Sequence, residues 1–101
     1  MIEIVESATF KRWVQRLRDR RGVARINARL RNVSIGHFGD VKSVGGGVFE
    51  MRIRYGPGYR LYYMRDGAKV IVLLCGGHKG SQTRDIERAR QLAKDWGMSH
   101  D

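Results

Sequence analysis

Between Val48 and Cys75 the chain first alternates and then stops alternating. Phe49, Met51 and Ile53 fall on one side of an extended segment and Glu50, Arg52 and Arg54 on the other, the period-2 pattern of a half-buried strand. Leu61 and Tyr63 alternate with Arg60, Tyr62 and Met64 in a second such segment. Tyr55-Gly56-Pro57-Gly58 lies between them, and Pro57 followed by Gly58 suits the two central positions of a type II turn. Asp66-Gly67, a favoured two-residue hairpin loop, leads to Val70-Ile71-Val72-Leu73-Leu74-Cys75. That run is apolar throughout and predicts a strand buried on both faces. With Gly56-Pro57-Gly58 as the loop, outward pairing sets Ile53 opposite Leu61, Met51 opposite Tyr63, Arg52 opposite Tyr62 and Arg54 opposite Arg60. Like charges directly opposite cost roughly 0.2–1 kcal/mol. An anion held between two guanidinium forks would offset that cost. Two arginines splayed into water account for the pattern equally well.

Around this centre the periodicity becomes helical. Met1 to Val5 reads as a short opening strand, and Ser7 as the N-cap of a helix from Ala8 to Asp19 with Phe10, Trp13, Val14 and Leu17 in one stripe. Arg20-Arg21-Gly22 breaks the pattern. A second helix is expected from Val23 to Ile35, with Val23, Ile26, Leu30 and Val33 inward and Gly36 as its stop. The short break predicts an antiparallel helical hairpin packed on the sheet. His37 to Asp40 reads as a loop, Asp40 to Val44 as a short strand, and Gly45-Gly46-Gly47 as a flexible lead-in to the main hairpin. A final helix from Gln82 to Trp96, with Ile86, Ala89, Leu92, Ala93 and Trp96 on one side, would cover the second face of the buried strand. Gly97 is expected to end it and Met98 to Asp101 to form a loose tail. The pattern describes one compact α+β domain over 1–101: an N-terminal strand and helical hairpin packed on an antiparallel sheet, with a C-terminal helix.

Charge changes this picture most. Among 101 residues, Lys and Arg number 20 and Asp and Glu 10, a formal charge of +10 with a pI near 10.7. Such an imbalance points to a polyanionic partner, either nucleic acid or an acidic protein segment. The helical hairpin concentrates it: Lys11, Arg12, Arg16, Arg18, Arg20, Arg21, Arg25, Arg29 and Arg31 surround the lone Asp19. A solvated face is the ordinary reading, but mixed signs would solubilise as well with less self-repulsion, so an anionic docking surface is favoured. Cys75, the one cysteine, excludes an internal disulfide, fits a reducing cytosol and reads as a buried packing residue. No apolar run is long enough to span a bilayer and no leader pattern opens the chain, so a cytoplasmic protein is expected.

Gly76 to Thr83 carries the candidate chemistry. Its glycines allow close backbone approach, and amides at a helix start can hold phosphate, although the P-loop spacing is absent. His78 is the residue there whose unperturbed proton affinity suits transfer near neutrality, but a lone loop histidine is more often incidental. His37 and His100 have weaker claims. No cluster has metal-ligand spacing, so neither a metal nor a cofactor is expected.

The order of elements and the stretch FEMRIRYGPGYRLYYMRDGAKVIVLLCGGHKGSQTRDIERARQL closely resemble the RelE/ParE superfamily of bacterial type II toxins, nearest the HigB-like addiction-module killer proteins. The likeness spans nearly the whole chain. It is carried by the strand Met51 to Arg54, by Gly58-Tyr59-Arg60-Leu61, and by the run Leu73 to Gln82. It implies a small antitoxin partner with a helix-turn-helix DNA-binding domain, and promoter DNA reached through the antitoxin complex. Members related to RelE and HigB cut mRNA on the ribosome and arrest growth. By position, the resemblance sets Arg52, Arg54, Arg60 and Lys79 around the scissile phosphate; for that chemistry Arg54 and Arg60 would stabilise the phosphorane, His78 would exchange a proton at one end, and Gln82 would orient it. The hairpin residues Arg16 and Arg25 would add RNA-binding charge. The departure is Asp85, where RelE itself would place a tyrosine, which leaves the second acid–base group open. ParE members instead inhibit DNA gyrase without nuclease activity, and an inactive antitoxin-bound co-repressor is a third reading.

Overall fold

The computed structural model describes residues 1–99. Its elements are β1 (Glu3–Glu6), α1 (Ala8–Arg16), α2 (Arg20–Ser34), β2 (Val41–Gly45), β3 (Val48–Ile53), β4 (Tyr59–Arg65), β5 (Val70–His78), a 3-10 turn (Lys79–Ser81) and α3 (Gln82–Ser99). The strands form one sheet in the order β1-β5-β4-β3-β2. The α+β class is as expected, but the sheet is mixed rather than antiparallel: β1 runs parallel to β5, pairing Glu3 with Val70 and Glu6 with Leu73. Helices α1 and α2 and three strands intervene, which supplies the long crossover that a parallel pair needs.

The apolar run of β5 lies at the centre and feeds both faces. Ile71 and Leu73 pack with Phe10, Ile26, Val33, Met51, Leu61 and Tyr63 on the α1–α2 side. Val72, Leu74 and Cys75 pack with Val48, Tyr62 and Ala89 beneath α3. Leu74 is the extra residue of a bulge, since Tyr62 pairs with Cys75 and Tyr63 with Leu73. A bulge re-aims the side chains that follow it. Gly76 then comes against the Trp13 ring and Gly77 against Asp85 on the opposite face.

Local chemistry moved several boundaries. Ser7 caps α1 as expected, accepting from the Phe10 amide. Asp19, however, is the cap of α2 and accepts from the Gly22 amide at 3.0 Å. Arg20-Arg21-Gly22 therefore open the second helix instead of breaking the first, which ends at Arg16. The principal contacts of α1 are with β5 and those of α2 with β1 and β3, so each helix packs on the sheet more than on its neighbour. Gly36, at φ 96°, ends α2 as expected.

The main hairpin pairs two residues out from the expected register. Its turn is closed by the Gly58 amide donating to Tyr55 O, with Gly56 (φ 57°) and Pro57 central, not Pro57 and Gly58. Arg52 accordingly faces Arg60, Met51 faces Leu61 and Ile53 faces Tyr59. The shift is even, so every side chain keeps its face while changing its partner. The β4–β5 loop is Asp66 to Lys69, closed by the Asp66 amide on Val70 O, and not a two-residue turn. Gly45, Gly46 and Gly47 form a tight turn with positive φ at all three, braced by Arg90 donating to Val44 O. α3 continues through Gly97 to Ser99, so Met98 and Ser99 are helical. The remainder of the expected tail, with His100, lies outside the described residues.

Candidate functional site

The register creates a row of charge across the sheet on the α3 face. The Arg52 amide donates to Asp40 O, Arg52 pairs with Arg60, and Arg60 pairs with Gly77, over which Asp85 sits. Two cations are thus bracketed by two carboxylates. Asp40 engages one end through Arg52 Nη2 at 3.0 Å and Arg54 Nη2 at 3.4 Å. Partial burial works to raise the Asp40 carboxyl, but the hydrogen bond and charge of Arg52 and the charge of Arg54 outweigh it and hold the group below its ordinary range.

Arg60 is different. Its Nε, like that of Arg52, is buried without a hydrogen-bond partner, but unlike Arg52 it makes no ion pair among the described residues. Buried donors are nearly always satisfied. A half-buried guanidinium flanked by a second arginine is suited to an anionic ligand. The expected Arg54–Arg60 pair is corrected to Arg52–Arg60. Arg54 lies beyond the end of β3, with 84% of its side chain exposed.

His78 ends β5 beside Tyr59, next to the Arg60–Gly77 pair. Its Nδ1 accepts from the Gly80 amide at 3.1 Å, capping the 3-10 turn. With Nδ1 accepting that bond, Nε2 is the ring nitrogen left to donate. Lys79 is exposed, and its amide reaches back to Pro57 O in the hairpin turn. Residues 78–84 line an open pocket of about 390 Å³. The structure therefore sets Arg52 and Arg60 side by side on β3 and β4, and places His78 and Lys79 at the end of β5, one and two residues beyond the Gly77 that pairs with Arg60.

Gln82, the first residue of α3, does not point its amide nitrogen outward: Nε2 donates to Glu50 at 2.8 Å. Asp85 is spent in a similar way. Its carboxylate is nearly buried and accepts a short hydrogen bond from Ser81 Oγ, above a glycine where a Cβ would lie 1.8 Å from Asp85 Oδ2. Cys75 lies below, where burial, reinforced by Asp85, pushes its thiol up to about 12 despite Arg88, leaving an inert packing residue as expected.

Arg16 and Arg25 are both exposed. Arg25 stacks 4.9 Å from the centroid of the Tyr55 ring and lines a second pocket, of about 370 Å³, with Asn32, Asp40, Arg52 and Arg54. Arg29, expected on the basic docking surface of the hairpin, is instead half-buried and donates to the carbonyls of Phe38, Asp40 and Arg52. It ties α2 to the strand that carries Arg52. Burial pushes its guanidinium below the ordinary value. Sequence reasoning missed Glu50, Asp40 and Arg29, because their partners lie far away along the chain. The one available signal was an acidic residue placed in line with arginines on a strand. Among the described residues, no three His, Cys, Asp or Glu side chains gather to hold a metal ion, and no helix is long and apolar enough to cross a membrane.

This is a small α+β chain with a bracketed arginine pair at one end of its sheet. It belongs to the family described as Phage derived protein Gp49-like, which it matches over residues 16–94. That family is a toxin–antitoxin-related one. The matched region spans every candidate residue from Arg16 to Gln82. An uncharacterized protein of Haemophilus influenzae is 43% identical over 97 residues, covering 96% of this chain and 98% of that protein.

Proposed function

We propose that the chain is the toxin of a bacterial type II toxin–antitoxin module of the RelE/ParE superfamily, nearest its HigB-like branch, and that it cleaves mRNA on the ribosome. One observation carries this reading: Arg60, half-buried with an unpartnered Nε, is paired across the sheet with Arg52 on one side and with Gly77, the residue before His78, on the other. In such a cleavage the 2′-oxygen attacks phosphorus as its proton passes to water or a ribosomal group, the phosphorane gathers negative charge, and the bond to the 5′-oxygen breaks as that oxygen gains a proton. Arg60 and Arg52 stabilise the phosphorane, with Lys79 beside them, because fixed donors aimed at developing charge need no reorganisation during the step. His78 offers Nε2 as a hydrogen-bond donor to the leaving oxygen, while the proton that oxygen takes up comes from water. Arg54, Arg16 and Arg25 contribute binding charge, and Gln82 orients the turn. The cognate antitoxin is the standing partner, and the complex reaches its promoter DNA through that antitoxin. The setting is the cytoplasm.

A second reading, gyrase inhibition without nuclease activity, has one observation in its favour. His78 Nδ1 and the Asp85 carboxylate are both committed to structural hydrogen bonds, so this chain supplies no complete acid–base pair of its own. The decisive experiment is primer extension on a defined mRNA in a reconstituted translation reaction, with and without ribosomes. Cuts in codon register that require ribosomes are expected. A folded protein that makes no cuts would transfer the assignment to gyrase, which a supercoiling assay would then test.

A further inference from the structure

Glu50 is fully buried, and a carboxylate is almost never fully buried unless it is paired. The usual explanation fails here: the nearest cation is the half-exposed Lys42, whose Nζ is 4.0 Å away, and Oε1 has no hydrogen bond. What Glu50 does hold is Oε2, which accepts from Tyr62 Oη at 3.2 Å and from Gln82 Nε2 at 2.8 Å. Tyr62 is its cross-strand partner on β4, and Gln82 opens α3. The carboxylate therefore joins three elements at one point. The Glu50–Tyr62 pair lies one step along the same face from the Arg52–Arg60 pair. On its other side, Gln82 directly follows the turn whose cap is His78.

The turn has few other anchors. The Lys79 amide reaches Pro57 O only at 3.4 Å, and the Ser81 hydroxyl binds within its own segment, to His78 and Asp85. Gln82–Glu50 is the side-chain hydrogen bond that links the start of α3 to β3. We propose that Glu50 is a positioning residue: it sets the His78–Ser81 turn in register with the arginine pair without touching substrate. This inference builds on the function proposed above, because it assigns the turn and the arginines to one site.

The test separates hydrogen bonding from charge and does not depend on cleavage alone. E50Q keeps an acceptor for both Gln82 and Tyr62, whereas E50L removes it, and Gln82→Met removes only the donor. The first readout is hydrogen exchange at the Gly80 amide, which His78 holds directly. About tenfold faster exchange is expected in E50L and Gln82→Met, the order of effect of losing one charge-assisted hydrogen bond, with E50Q near the parent protein. In the ribosomal assay the same two variants are expected to lose about tenfold in cleavage rate with unchanged ribosome binding. If E50L does not fold, Gln82→Met alone decides. Gly80 exchange within twofold of the parent in Gln82→Met overturns the proposal, as does an E50Q protein that exchanges as fast as E50L. A parent protein that never cleaves would sink the nuclease reading, yet the exchange data would still judge Glu50.

Discussion

Residue by residue, the chain spends acids to hold its architecture and leaves bases to act. Asp19 caps α2 and also accepts from Tyr59 Oη at 2.7 Å, which fastens the helix corner to the start of β4. Its hydrogen bonds with the Gly22 amide and Tyr59 keep the carboxyl below its ordinary range. Burial, followed by the Asp19 bond and charge, pushes the Tyr59 phenol from 10.0 up to about 12. The folded state therefore keeps that proton after the unfolded chain has lost it, so this contribution is complete below pH 10 and disappears as pH rises through about 12. Tyr59→Phe is expected to lose about 1 kcal/mol at pH 8, the worth of one hydrogen bond. The gap from the parent should narrow at pH 11, and urea midpoints at the two pH values would show it. An equal gap at both would refute the linkage.

At the scale of elements, what was legible follows from what the core dictates. The faces of β3 and β4 could be read because period 2 is enforced by burial, and the double-sided burial of β5 because six apolar residues in a row have nowhere else to go. Register was not legible. It depends on which amide closes the turn, and Gly56-Pro57-Gly58, with positive φ at both glycines, is compatible with more than one closure. The bulge at Leu74 was equally silent, although it decides that Gly77 rather than Gly76 lies beneath Asp85. So the residue types of the site could be read from the sequence, while their partnerships could not. The observed register ranks the arginines. Arg60→Ala should lower cleavage about 100-fold or more, the scale of losing one preorganised donor. Arg52→Ala should cost less, and Arg54→Ala least, since Arg54 is exposed and already paired with Asp40. Single-turnover rates on ribosome-bound mRNA give the order. Arg54→Ala as damaging as Arg60→Ala would contradict it.

Over the whole molecule, the charge of +10 is unevenly deployed. Arg29, Arg52 and Arg90 are committed to internal carbonyls or carboxylates, whereas Arg16 and Arg25 remain exposed. Cations on the outer helices should act through counterion release, so removing either one is expected to lower the slope of log affinity against log salt by about 0.7–0.9. Ribosome binding measured across a salt series tests this, and an unchanged slope in both variants would remove these helices from the docking surface. The parallel seam between β1 and β5 has a consequence in time. Ser7 must wait for Leu74, 67 residues later, before the two ends of the sheet can meet. During synthesis the N-terminal strand and both basic helices emerge long before the strand that completes the sheet and the turn that follows it. On the proposed reading, a nascent chain still attached to its ribosome is unarmed, and it gains its activity only near the end of its own translation.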